Sequence, residues 1–311
     1  MDVGFTKKII DFNDMKKVVF FSYAHKGDIF LSRAFIEHII ESLDAEFYYS
    51  HYWGEYLLKD LNLKYIPLDQ IPKVQEQNEH AHNFINGDTV YINTWIGKYA
   101  SLITPGYCEC TLKTLYSLVY PEIFNFLSKS FNVDLKLKPI NEYLACEIDY
   151  SYFNTSNIDK FLEGEKRRKV LFCNGSCLSG QCVYTGDLCE SIKKMSIKYP
   201  NICFITTHKI DFSSENIKYT GDIINNEGQD LNEISYLSKF CDIMIGRYSG
   251  PFIFSNAIKE NIFNKDKTFL CFGERSTDCH PYQIDFDSQF IYEEFSTLEN
   301  LENTIIGLIE E

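Results

Sequence analysis

Several motifs that would identify an enzyme at once are missing from this chain of 311 residues. There is no Gly-x-Gly-x-x-Gly turn, which argues against an ordinary dinucleotide dehydrogenase, and no P-loop for a nucleoside triphosphate. Gly-x-Ser-x-Gly and His-Glu-x-x-His are absent too, which removes the common serine hydrolases and the zincin proteases. No run of eighteen apolar residues occurs, so a spanning helix is not expected. The N-terminus lacks an apolar stretch followed by a cleavage site, and the reading is a cytoplasmic protein. Basic residues are scarce: 30 Lys and Arg face 44 Asp and Glu, a formal charge of −14 that repels nucleic acid and leaves at most a weak peripheral contact with membranes. The one dense basic cluster, Lys166 to Lys169, reads as a solvated face before a strand.

What is present is the material of an ordinary globular protein. Hydrophobic residues make up 45% and charged residues 24%, with 25 Phe and 21 Tyr beside only 2 Trp. The length suggests two domains, placed at residues 1–150 and 165–311, with the boundary where apolar periodicity weakens between about 134 and 168. Eleven cysteines are spread irregularly, and Cys173, Cys203, Cys241 and Cys271 fall inside apolar strand patterns, as small buried hydrophobes of a reducing compartment do. Cys173, Cys177, Cys182 and Cys189 cluster, but their spacings of four, five and seven fit no zinc pattern, and no metal site is expected.

The pattern along the chain alternates strands and helices. Val18 to Tyr23 reads as a strand, followed by a Gly-Asp turn and a helix carrying Leu31, Phe35, Ile39 and Leu43 on one face. Glu46 to Ser50 and Leu63 to Ile66 read as strands around a second helix from Trp53 to Leu61. Residues 73–87 read as a long surface loop before a strand from Asp88 to Trp95, and residues 111–131 as helix with Pro121 starting or kinking it. In the second half the strands are Val170 to Cys173, Ile202 to Thr206, Cys241 to Gly246 and Thr268 to Phe272. Helices are expected from Leu188 to Tyr199, Asp230 to Phe240, Phe252 to Ile258 and Leu298 to Glu310. Each half is therefore expected to be a doubly wound, Rossmann-like α/β unit.

Ligands of open α/β sheets bind beyond the carboxyl ends of the strands, which directs attention to the turns there. The most informative is Arg247-Tyr-Ser-Gly-Pro-Phe252. Ser249 suits a helix N-cap, Gly250 admits close approach to the backbone, and Pro251 fits the first turn. Free N–H groups there, with the Arg247 fork, would suit a phosphate; a mere helix cap is the alternative. Asp28 is placed either to take a proton from a hydroxyl or to cap a helix. The turn after Cys173 offers Gly175 and Ser176, and Thr206-Thr-His-Lys209 offers Lys209 to a diphosphate. Asn232 and Glu233 near a helix start could hold ribose hydroxyls or serve the helix dipole. Asn93 and Trp95 end a strand with a polar group and an indole suited to a sugar ring, or to the core; His51, Tyr52 and Trp53 share that ambiguity.

Two of these patches carry a resemblance. Lys26-Gly-Asp-Ile-Phe-Leu-Ser32 and Cys241-Asp-Ile-Met-Ile-Gly-Arg-Tyr-Ser-Gly-Pro-Phe252 are similar to the Gly-Asp turn and the late strand with its Ser-Gly-Pro helix start in glycosyltransferase family 9, the heptosyltransferase group. Arg247-Tyr stands where that family has an aspartate before the serine, and no histidine follows Phe252. The resemblance implies the GT-B architecture of two facing Rossmann-like domains, the first for acceptor and the second for donor. It implies transfer from a nucleotide sugar, with no cofactor or metal, to a saccharide or glycolipid acceptor of lipopolysaccharide type, with inversion. Asp28 becomes the base, Lys26, Gly27, Asn93 and Trp95 the acceptor side, and Arg247, Ser249, Gly250, Lys209, Asn232, Glu233, Gly175 and Ser176 the donor side. A nucleotide-sugar epimerase or hydrolase on the same scaffold, or a non-catalytic glycan-binding protein, are the alternatives.

Overall fold

The computed structural model describes residues 15–23, 25–72, 83–94, 115–143, 145–175, 188–224, 230–247, 249–272, 286–293 and 297–311. Two sheets organise it. The first contains β1 (Lys17–Phe21), β2 (Glu46–Ser50), β3 (Lys64–Tyr65), β4 (Asn83–Asn86) and β5 (Thr89–Asn93) in the order β3-β2-β1-β5-β4. The second contains β6 (Arg168–Cys173), β7 (Ile202–Thr206), β8 (Ile217–Tyr219), β9 (Ile243–Gly246), β10 (Thr268–Phe272) and β11 (Gln289–Glu293) in the order β11-β10-β9-β6-β7-β8. All pairings are parallel except β4 with β5. Central strands such as Ile202 to Thr206 are buried along their whole length, which is why they read as unbroken apolar runs.

The helices, in chain order, are α1 (Lys26–Leu31), α2 (Arg33–Ser42), α3 (Tyr120–Phe131), α4 (Ser156–Gly164), α5 (Cys189–Lys198), α6 (Thr220–Ile224), α7 (Leu231–Ser238), α8 (Gly250–Asn256), α9 (Lys259–Ile262) and α10 (Leu298–Glu310). Pro121 stands at the start of α3, and a short π-helical stretch, Leu115–Val119, runs directly into it, so the proline coincides with a change of helix type inside one continuous segment. Two sequence expectations change. The helix expected from Trp53 to Leu61 is only the 3-10 turn Glu55–Leu58, because Gly54 at φ 71° reverses the chain just before it. Part of the expected loop 73–87 is the strand β4: Asn86 and Gly87, with Gly87 at φ 64°, turn it back onto β5 as a hairpin.

Chain order fixes where a ligand can enter. In the first sheet the chain moves from β1 outward to β3, then crosses to β5 on the other side of β1. In the second it moves from β6 outward to β8, then returns to β9 on the other side of β6. Each sheet therefore has a switch point, between β1 and β5 and between β6 and β9, where connections diverge and leave a crevice.

The two halves are joined through α8. Phe252 packs with the second sheet, while its neighbours Ile253 and Phe254 belong to the core built on the first. Phe254 stacks on Phe30 of α1 with ring centroids 3.9 Å apart, and a Cβ on Gly27 would lie 2.6 Å from Ile253 Cδ1. Leu231, Ala257, Ile258 and Ile262 enter the same core. The connecting segment adds a parallel bridge from Cys146 to Ile258, with Cys146 N–H donating to the Ala257 carbonyl at 2.8 Å. In the first half Arg33, fully buried, pairs with Asp60 through its two terminal guanidinium nitrogens, Nη1 at 3.0 Å.

Candidate functional site

The site is built from the four segments that leave the two switch points. After β1, the chain reaches Lys26, Gly27 and Asp28 within the first turn of α1. The N-cap position belongs to His25, so Asp28 stands inside the helix and not at its cap. Burial pushes the Asp28 carboxyl up, against the opposing pull of His25 and of the backbone N–H groups of residues 25 and 28. At the carboxyl end of the neighbouring strand β5, Asn93 and Thr94 are buried. The Thr94 hydroxyl lies 2.7 Å from the Tyr49 hydroxyl, which is 3.4 Å from Ser32 Oγ. Burial pushes the Tyr49 phenol up to about 12, and the nearby Asp28 charge adds to it.

In the second half, the strand ends bring Gly175, His208 and Arg247 together, because β9, β6 and β7 are neighbours. Arg247 is 7% exposed; its Nη1 donates to the Gly175 carbonyl at 3.1 Å, and its guanidinium lies 5.6 Å from the Phe272 ring centroid. Asn174 brackets His208, accepting its N–H at 2.8 Å and donating to its carbonyl at 3.1 Å. The His208 ring is pressed against Gly175, where a Cβ would meet it at 2.4 Å. Lys209 is exposed beside it. Ser249 occupies the N-cap position of α8, yet its side chain caps nothing; Oγ is buried with no hydrogen-bond partner among the described residues. A buried hydroxyl left in that state fits a ligand oxygen.

The two clusters meet across the cleft. Burial pushes the Asp230 carboxyl up, while Lys26 of α1 and His208 pull it down; Lys26 in turn is held down by burial and raised by Asp230. Asn232 and Glu233, one turn on, are buried against the first half. Asn232 Nδ2 donates to the carbonyls of Tyr56 and Leu57 at 3.4 and 3.5 Å, and the Tyr56 hydroxyl donates to Glu233. Burial pushes the Glu233 carboxyl up to about 7.

Structure thus brings together Lys26, Gly27, Asp28 and Asn93 on one side and Gly175, Lys209, Arg247, Ser249 and Gly250 on the other; Trp95 and Ser176 lie outside the described residues. Sequence reasoning passed over His208 and Asp230. Their signal was positional: both follow or precede elements at the same sheet edge as the chosen residues. Of the clustered cysteines, Cys173 is a buried free thiol and Cys189 opens α5, while Cys177 and Cys182 lie outside the described residues. Among the described residues no group of three His, Cys, Asp or Glu is arranged to hold a metal. An Asp-Phe-Asp triplet ending at Asp287 precedes β11 and so stands at the opposite, amino edge of the sheet; its Asp285 lies outside the described residues.

No family model matches the chain, and no curated protein matches it in sequence. Solved structures do match it. E. coli ADP-heptose lipopolysaccharide heptosyltransferase II aligns over 94% of this chain and 98% of its own, with a TM-score of 0.50 at 11% identity. The chain has the GT-B fold. UDP-GlcNAc 2-epimerase from Neisseria meningitidis, bound to UDP-GlcNAc, aligns over 94% and 91% of the two chains, with a TM-score of 0.48 and 13% identity. The family 9 glycosyl transferase from Veillonella parvula aligns over 94% and 90%, at 0.46 and 11%. Within the GT-B fold of this chain, the cleft between the sheets carries the four segments just described. No helix of the described residues is long and apolar enough to cross a membrane.

Proposed function

We propose that the protein is a metal-independent, inverting glycosyltransferase acting on a nucleotide-sugar donor and a saccharide or lipid-linked saccharide acceptor. The observation that carries this reading is the approach of the two halves at one cleft: Lys26, in the same helical turn as Asp28, interacts with Asp230, which also feels His208, and Arg247 bonds Gly175 at the same sheet edge as His208. The second half holds the donor: Arg247, the unengaged Ser249 hydroxyl, the amides at Gly250 and Gly175–Ser176, and Lys209 suit a diphosphate. Asn232 and Glu233 contribute by fixing the start of α7 against residues 56 and 57. The first half holds the acceptor through Lys26, Gly27, Asn93 and Trp95.

Asp28 takes the proton of an acceptor hydroxyl. The oxygen forms a bond to the anomeric carbon from the face opposite the diphosphate, and the bond to phosphate oxygen breaks, the nucleoside diphosphate leaving with the electron pair. Its charge is met by Arg247, Lys209 and backbone N–H groups. A carboxyl whose pKa is raised is the stronger base, which suits a reluctant hydroxyl.

Thermal unfolding against a panel of nucleoside diphosphates and nucleotide sugars tests the reading. A ligand at 100 times its Kd adds about 2.7 kcal/mol to stability. One nucleotide is expected to raise the melting temperature, and Lys209→Ala, an exposed change, is expected to weaken that shift without unfolding the protein; Arg247→Gln is expected to remove it. The absence of any shift, or a shift indifferent to both substitutions, overturns the donor site. Release of free sugar or an epimer from the bound nucleotide sugar, with no acceptor present, would replace transfer by the hydrolase or epimerase reading.

A further inference from the structure

Two large aromatic side chains stand in the open at the carboxyl edge of the first sheet: Tyr52 is 62% exposed and Trp53 40%. Their neighbours show that this exposure is built. β2 ends at Ser50, and His51 is buried directly after it, 1% exposed, between the rings of Tyr49 and Tyr65 at 5.2 and 5.8 Å. Burial pulls the His51 imidazole down to about 4, so it is neutral, and its Nδ1 accepts the Trp53 backbone N–H at 3.0 Å. The Tyr65 hydroxyl donates to the His51 carbonyl at 2.9 Å. Gly54, at φ 71°, then reverses the chain. The turn is pinned at its base while its tip presents two rings largely to water, an exposure that carries a hydrophobic cost.

The rings are tied to the catalytic side of the cleft. Lys26 Nζ lies 4.5 Å from the centre of the Trp53 ring, and Lys26 shares the first turn of α1 with Asp28. Tyr23, at the end of the segment leaving β1, meets Tyr52 edge to face at 6.0 Å. We propose that Tyr52 and Trp53 form a platform on which a pyranose ring of the acceptor stacks through its apolar face, one side chain away from Asp28, with His51 as the residue that positions them. This inference rests on the glycosyltransferase reading for which sugar is meant, the acceptor. The chemistry is suited to a saccharide: an aromatic face meets the C–H groups of a sugar while the sugar hydroxyls stay in water. An acceptor recognised this way is selected by the shape of a neutral sugar ring, not by an anionic headgroup, in keeping with the charge of −14.

Binding to an array of neutral and anionic pyranose oligosaccharides of various lengths tests the platform, using the full chain. Wild type is expected to bind neutral pyranose probes; Trp53→Ala and Tyr52→Ala are expected to weaken that binding about tenfold, Trp53→Phe to retain most of it, and Tyr152→Ala, an exposed aromatic elsewhere, to leave it unchanged. Melting curves of the variants check that each is folded. Wild-type binding that is lost equally in Tyr152→Ala, or retained in Trp53→Ala, or confined to anionic probes, or absent, overturns the platform. The nucleotide panel is a separate readout: a nucleotide shift with no platform leaves the transferase reading standing, and a platform with no nucleotide shift leaves a glycan-binding surface without it.

Discussion

Asp28 shows how little of a residue's role its sequence position can settle. A carboxylate before an apolar period reads as a helix cap as readily as a base, and the structure moves it three residues past the cap, where burial raises its pKa. The sign of that shift has a consequence for stability. A carboxyl raised on folding contributes to stability fully below its unfolded pKa, about 3.9, and that contribution is lost as pH rises through the folded value. At neutral pH Asp28 therefore opposes folding. Asp28→Asn is expected to stabilise the protein at neutral pH by about 0.5–2 kcal/mol, with the gain shrinking toward pH 4, while transfer is lost; melting curves across pH beside rate measurements check both. A variant that loses stability at neutral pH, or keeps its rate, would remove Asp28 as a charged buried base. For the wild type, transfer is expected to fall on the acid side at a pH above that of an ordinary aspartate. His208 illustrates the opposite limit of sequence reading: a lone histidine after a strand gives no signal of its own, and only the adjacency of β6 and β7 puts its ring on Gly175.

At the scale of elements, the strands that were legible are those buried on both faces, β7 and β10 among them, since a continuous apolar run has few other uses. Of the four edge strands β3 was expected, at Leu63 to Ile66, and the other three were missed for the same reason reversed. β8 and β11 are only partly buried, and β4 hid in a polar stretch although Asn86-Gly87 is a hairpin signal. The expected helix at residues 53–61 failed because propensity counted for less than one glycine with positive φ. Two other glycines make a sharp comparison. At Gly27 an added Cβ would meet only the far end of the Ile253 side chain, which can turn aside. At Gly246 it would meet Cys173 Cβ at 2.6 Å and the Cys173 carbonyl at 3.2 Å, atoms fixed in the central strand. Gly27→Ala is expected to cost less than about 1 kcal/mol, helped by the better helix propensity of alanine. Gly246→Ala is expected to cost about 1–3 kcal/mol and to weaken nucleotide binding by displacing the strand end that carries Gly175. Denaturant melts of the two variants decide it, and equal costs would contradict this account of the strand crossing.

For the whole molecule, the sequence reading of two α/β units was sound as to sheets and silent as to how they join. Amphipathic periodicity shows that a helix buries a face, not whose core receives it, and α8 gives Phe252 to one sheet and Phe254 to the other half. GT-B proteins are drawn as two bodies around a cleft, and small polar interfaces between domains permit motion; here the junction is apolar and aromatic. Phe254→Ala is expected to cost about 3–5 kcal/mol and to lower a single calorimetric transition as a whole. Two separated transitions in the wild type would show instead that the halves melt independently.

The shared helix also sets a timetable for synthesis. The core of the first half is missing Ile253, Phe254, Ala257, Ile258 and Ile262 until those residues have been translated. Phe153, the last residue that the first half itself supplies to that core before Leu231, emerges about a hundred residues earlier. At about 5–20 residues per second, the nascent first half waits roughly 5–20 s with an apolar socket beside Phe30 open to water. A chain truncated before residue 250 would keep that socket open permanently, so the first half made alone is expected to be captured by chaperones or to aggregate, despite having a complete sheet.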